Sequence, residues 1–206
     1  MYFLFAIACA ALATLLWSEA VNSVWVRRFS KTICSSCFCA AGFIAVQHVP
    51  PFTLLICLGF VASLMGDVFL LFERKRIFLL GLASFLVAHV FYAASFLQFG
   101  INLQLALWVA PLLVLAGVGV IRWLWTEVSG FMKVAVCSYI GAIMAMVTLA
   151  AATEDAVLAI SAIAFMVSDI AVARQRFIVP SVWNKAWGLP LYFGAQWGFV
   201  WALLAA

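Results

Sequence analysis

Charge is scarce in this chain. Only 9% of its 206 residues are charged and 69% are hydrophobic, whereas a water-soluble domain carries about 25% charged residues. That deficit excludes an ordinary soluble domain. Membrane-barrel strands, which would alternate apolar and polar over about ten residues, are missing too. There is no Gly-x-Ser-x-Gly elbow, no His-Glu-x-x-His pair and no Walker loop, which argues against a serine lipase, a zincin and an ATPase. Met1 to Ser18 is apolar but has no basic stretch before it, so it is expected to be a retained helix and not a cleaved signal. Cys34-x-x-Cys37 has neither a second pair nor a nearby histidine, so the six cysteines imply helix packing, not disulfides, metal or redox chemistry. The net charge of +4 comes from short stretches between apolar runs and implies no nucleic-acid partner.

What the chain does have is a series of uncharged runs near 20 residues, the length needed to cross a bilayer as helix. An all-α integral membrane protein follows, with one domain over 1–206. Charges and turn residues divide it into eight expected spans: 1–18, 32–47, 51–72, 77–98, 103–124, 132–152, 156–173 and 187–206. His48-Val49-Pro50-Pro51 ends the second span, Gly100-Ile101-Asn102 separates the fourth from the fifth, and Thr153-Glu154-Asp155 stops the sixth. All 11 basic residues then fall on one side of the bundle. The positive-inside rule makes that side cytoplasmic and puts both termini on the opposite side.

Against this background Asp67, in Ser63-Leu64-Met65-Gly66-Asp67-Val68, is the only charge between Lys31 and Glu73. A carboxylate in lipid costs about 2.5–3.5 kcal/mol or more, so the default reading is a functional site. Asp169 in Ser168-Asp169 is the second such acid. Asp67 precedes Glu73 by six residues and Asp169 precedes Arg174 by five, which puts each roughly 8–9 Å below the basic collar at ~1.5 Å per residue. Both spans run outside to inside, so the two acids are expected at matched depth near the cytoplasmic face. Gly66-Asp67…Arg74-x-Arg76 and Ser168-Asp169…Arg174-x-Arg176 also hint at a parallel repeat of the first four spans in the last four. The plainer reading of each acid is a buried carboxyl that caps a neighbour's backbone or pairs with a basic side chain.

Ser63 and Gly59 share the Asp67 face at four-residue spacing. His89 and Tyr92 lie three apart on the fourth span, His89 being expected deeper than the acids. Tyr192 and Gln196 lie four apart on the eighth, Tyr192 close to the level of the acids. Each either lines a cavity or bonds between helices. Tyr139 is a weaker candidate, expected as an interface aromatic. Arg74, Arg76, Arg174 and Arg176 have two readings: topology with attraction to anionic lipid, or a grip on the phosphate of a lipid substrate. Two acids with one deep histidine are too thin a ligand set for a metal.

In order and spacing, Ser63-Leu64-x-Gly66-Asp67-Val68-x-Leu70, Phe78-x-x-Gly81-x-x-x-Phe85-x-x-x-His89-x-x-Tyr92, Ser168-Asp169 and Tyr192-x-x-Ala195-Gln196 resemble the YhhN family, the lysoplasmalogenases. The resemblance covers most of the chain from the second span onward; Lys31-Thr32 departs from the family's usual Lys-Pro. It implies a multi-pass protein, of the inner membrane if bacterial, that hydrolyses the vinyl-ether bond of a lysophospholipid without a cofactor. The products would be a fatty aldehyde and a glycerophospho-ethanolamine or -choline. Vinyl ethers are cleaved by protonation at carbon, which needs one carboxylic acid and one carboxylate. A close Asp67–Asp169 pair would share one proton, as in the two-carboxylate logic of glycosidases. Ser63, His89, Tyr92, Tyr192 and Gln196 would shape the pocket or hold water. The alternative from another class is a proton-coupled lipid or small-solute transporter relaying through Asp67, Asp169 and His89; a hydrolase of a different enol ether or lipid is a third reading.

Overall fold

The structure, a computed structural model, describes residues 1–46, 54–72 and 74–205. Its helices are α1 (Tyr2–Ala20), α2 (Val24–Val46), α3 (Leu54–Phe69), α4 (Lys75–Phe96), α5 (Leu103–Leu124), α6 (Phe131–Ala152), α7 (Ala156–Ala173) and α8 (Val182–Ala205). A π-helical turn over Arg174–Ile178 extends α7. There is no strand among the described residues, and six helices are long and apolar enough to cross a membrane. Of the other two, α3 is apolar but has 16 residues. The eighth helix, with 24, holds Asn184, Lys185, Pro190 and Gln196 among its apolar residues. It also buries more residues than any other helix, and contact with protein instead of lipid relaxes the demand for apolarity.

Local chemistry explains the boundaries. Asn102 caps α5 by accepting from the Leu105 N–H at 3.1 Å, and Asp155 caps α7 by accepting from Val157 and Leu158 at 2.7 and 3.0 Å. These two helices coincide with the spans expected at 103–124 and 156–173. The second and eighth do not. α2 begins at Val24, not 32, and α8 at Val182, not 187. Arg27, Arg28, Lys31 and Lys185 therefore lie within helices and not in loops. Thr32, where a proline would break the ladder, lets α2 run on through Lys31. The turn expected at His48-Val49-Pro50-Pro51 lies outside the described residues, as does Glu73.

Helices α2, α3, α4, α6, α7 and α8 each pack on the next and close a ring, α8 returning to α2. Outside the ring α1 lies on α2 and α8, and α5 lies on α6. The two halves repeat these relations. α1 covers α2 as α5 covers α6, α3 pairs with α4 as α7 with α8, and the ring closes through α4 on α6 and α8 on α2. At the ends of α1 and α8, buried Glu19 receives Arg27 at 3.1 Å and Lys185 at 2.7 Å, tying the outer helix to the ring. Close approach of α3 and α4 depends on Gly59 and Gly66. A Cβ at Gly59 would overlap the Tyr92 ring, and one at Gly66 would lie 2.6 Å from Phe85, so only glycine admits those rings.

Candidate active site

Every helix of the ring sends a polar side chain to its inner face. Asp67, near the end of α3, is 2% exposed. Its Oδ2 accepts from Ser35 Oγ of α2 at 2.5 Å and from Tyr192 OH of α8 at 2.6 Å. Its Oδ1 lies 3.0 Å from Lys31 Nζ of α2. Lys31 and Ser35 are four apart, so one face of α2 presents both. Asp169, near the end of α7, is 15% exposed. Its Oδ2 accepts from Tyr139 OH of α6 at 3.2 Å and lies 3.7 Å from His89 Nε2 of α4. The arrangement follows the internal repeat: Asp67 is served by α2 and α8, Asp169 by α6 and α4.

Helix direction accounts for the convergence in depth. Side chains tilt towards the N-terminus of their own helix. The acids stand near the C-terminal ends of α3 and α7 and lean inward. His89 and Tyr192, on antiparallel α4 and α8, lean back to meet them. His89, expected deeper than the acids, therefore reaches Asp169.

Among the described residues no hydrogen bond or ion pair joins Asp67 to Asp169. Each acid instead has its own set of partners. Aromatic contacts span the gap. The Tyr192 ring lies 5.2 Å from Phe165, and Phe165 lies 4.7 Å from His89. Phe85 packs edge-on against both Tyr192 and Phe165.

Further from the collar, Tyr92 OH donates to Gln196 Oε1 at 2.8 Å. Its single hydrogen is thereby committed, so Ser63 Oγ, 3.2 Å away, donates to Tyr92. Ser63, Tyr92 and Gln196 thus form one buried chain across α3, α4 and α8. The four arginines lie outside the ring. Arg74, Arg76, Arg174 and Arg176 are exposed. Arg176 stacks on Phe78 at 4.4 Å, and Arg174 lines an outer cleft of about 370 Å³ with Trp123 and Ile170.

Two members lie outside the sequence reading: Lys31, expected between the first two spans, and Ser35, to which the sequence alone assigns no role. Their four-residue spacing was a usable signal, since it puts an ammonium and a hydroxyl on one helix face. Tyr139, the weaker candidate expected at an interface, donates to Asp169.

The chain is 29% identical over 197 residues to lysoplasmalogenase TMEM86A of Homo sapiens, an alignment covering 88% of this chain and 79% of the relative. It is 26% identical over 202 residues to lysoplasmalogenase TMEM86A of Bos taurus, with the same coverage. No solved structure matches it. The YhhN family profile matches residues 26–203, a stretch that takes in every polar residue of the ring described above, and the chain belongs to that family.

Proposed function

We propose that this protein is a multi-pass membrane hydrolase that cleaves the vinyl-ether bond of a lysoplasmalogen, using Asp67 and Asp169. The observation that carries the reading is the pair of membrane-embedded acids on the inner face of one ring, each held by a hydroxyl donor, with aromatic rings between them. Two similar proteins carry the name lysoplasmalogenase, which supports the same reading. The proposed topology has eight spans, the basic ends cytoplasmic and both termini on the other side. A bacterial cell would hold it in the inner membrane.

The chemistry is proton transfer to carbon. A carboxylic acid gives its proton to the carbon β to the ether oxygen, and the alkene π pair becomes the new C–H bond. An oxocarbenium ion remains, whose charge faces a carboxylate and aromatic faces. Water adds to the cationic carbon and returns a proton to the site. The hemiacetal then collapses to a fatty aldehyde and a glycerophospholipid alcohol, consuming one water overall. Ser63, Tyr92 and Gln196 shape the apolar end of the pocket, and the exposed arginines lie on the side where a phosphate headgroup would stay hydrated.

The test is aldehyde release from lysoplasmenyl-ethanolamine by purified protein. Asp67→Asn and Asp169→Asn are each expected to lower kcat by about 100-fold or more while the protein stays folded. Wild-type rates in both folded variants refute the proposal. Flux of lipid into proteoliposomes without product would favour the transporter.

A further inference from the structure

The two acids are chemically unequal, and Lys31 makes them so. We infer that Lys31 is a positioning residue that holds Asp67 as a standing carboxylate which orients the attacking water, leaving Asp169 beside His89 as the proton donor; this rests on the hydrolase reading above.

Three donors converge on Asp67: Lys31 Nζ on Oδ1, Ser35 Oγ and Tyr192 OH on Oδ2. The Ser35 hydrogen has a second acceptor, the Lys31 carbonyl at 3.1 Å, but Asp67 at 2.5 Å is nearer. An ammonium has no lone pair to offer, so a proton on Oδ1 would have no acceptor at Lys31. The set is complementary to an anion. Lys31 is itself only 12% exposed, and an ammonium so far from water needs this partner. A carboxylate has about four acceptor positions. Three are taken, which leaves one for a water hydrogen. With its charge already matched by Lys31, Asp67 is poorly suited to face a developing cation and well suited to hold that water.

Asp169 has the opposite surroundings. Among the described residues no lysine or arginine pairs with it. Its neighbours are the Tyr139 hydroxyl and His89 Nε2. His89 spends its Nδ1 hydrogen on the Phe85 carbonyl at 2.6 Å, and its buried Nε2 has no hydrogen-bond partner. A nitrogen lone pair facing a carboxyl suits a carboxylic acid. Asp169 therefore gives its proton to the alkenyl carbon and, as the carboxylate so formed, stands beside the oxocarbenium ion. When water adds, Asp169 takes back one water proton; the other stays on the new hemiacetal hydroxyl, which Asp67 holds by accepting its hydrogen bond without itself being protonated. The cycle closes with no net change in either acid.

The experiment is a double-mutant cycle on kcat and KM with lysoplasmenyl-ethanolamine, using Lys31→Met, Lys31→Arg, Asp67→Asn and the Lys31→Met/Asp67→Asn double variant. Because Lys31 acts through Asp67, Lys31→Met is expected to lower kcat about tenfold or more with KM within about threefold, Lys31→Arg to restore much of it, and the double variant to be no slower than Asp67→Asn alone. Loss that multiplies in the double variant overturns the proposal, since Lys31 would then act independently. So does a raised KM at unchanged kcat, which would make Lys31 a headgroup ligand. If Lys31→Met fails to fold, the Lys31→Arg variant and the charge-free double variant carry the comparison: equal kcat in the double variant and Asp67→Asn supports the assignment, and a slower double variant refutes it. A wild-type protein that releases no aldehyde overturns the hydrolase reading together with the role of Lys31, whereas an active wild type with a multiplicative loss overturns Lys31 alone.

Discussion

His89 Nδ1 lies 2.6 Å from the carbonyl oxygen of Phe85, one turn earlier on the same helix. That oxygen only accepts, so the ring hydrogen sits on Nδ1, and Nε2 turns a lone pair towards Asp169 at 3.7 Å. The backbone of α4 thus fixes both the tautomer and the orientation of the ring. The ring packs against Tyr139 at 5.2 Å and Phe165 at 4.7 Å.

His89→Gln replaces that lone pair by an amide that is free to turn either its oxygen or its N–H towards Asp169. Expected is a fall in kcat of about 100-fold, the scale of a lost acid–base partner, with little change in KM. Rates of aldehyde release across a range of substrate concentrations decide it. A change in KM alone would make His89 a wall of the pocket.

How far these features were legible in the sequence depends on the kind of signal. The starts of α5 and α7 were legible because Asn102 and Asp155 cap them with side-chain oxygens. The starts of α2 and α8 were not, because a basic residue next to an apolar run reads as the edge of a span. Inside the bundle those charges are paired: Arg27 and Lys185 on Glu19, Lys31 on Asp67. A paired charge does not stop a helix. The same error hid the partner of Asp67, since a residue assigned to a loop is not sought inside the ring. Asp67, Asp169, His89, Tyr92, Tyr192 and Gln196 were legible as polar residues in apolar spans. Which acid each would serve was not, because that depends on which helices adjoin.

The two tyrosines that serve the acids should differ in weight. Tyr192 OH donates to Asp67 at 2.6 Å, while Tyr139 OH reaches Asp169 at 3.2 Å. Hydrogen bonds to charged groups contribute about 1.5–3 kcal/mol and neutral ones about 0.5–1.5. Tyr192→Phe is therefore expected to cost about 1.5–3 kcal/mol of stability and Tyr139→Phe about 0.5–1.5 kcal/mol. Thermal unfolding of the two variants in the same detergent gives the order, and a larger loss for Tyr139→Phe would contradict the charge difference between the acids.

Gly59 is where α3 admits the ring of Tyr92, and Tyr92 in turn links Ser63 to Gln196. Gly59→Val would push a buried ring with no free end. Overpacking of this kind costs about 1–3 kcal/mol, and the Tyr92–Gln196 bond should be lost with it. Lower Tm together with reduced aldehyde release is expected. Gly119, which has open space at its Cβ position, is the control, and Gly119→Ala should leave both unchanged.

The proposed orientation of the ring has its own consequence. The link between α4 and α5 at Asn102 and the link between α5 and α6 at Ser129 lie at opposite ends of a 22-residue helix. At ~1.5 Å per residue that helix spans about 30 Å, the thickness of the hydrocarbon core. Lys133 and Arg122 flank Ser129, so the positive-inside rule puts Ser129 in the cytoplasm and Asn102 outside. With the native cysteines replaced by serine or alanine, Asn102→Cys in intact cells should react with a membrane-impermeant maleimide. Ser129→Cys should react only after the membrane is opened. The reverse pattern would turn the molecule over, bringing Asp67 and Asp169 close to the outer leaflet and requiring the lysolipid to enter from that side.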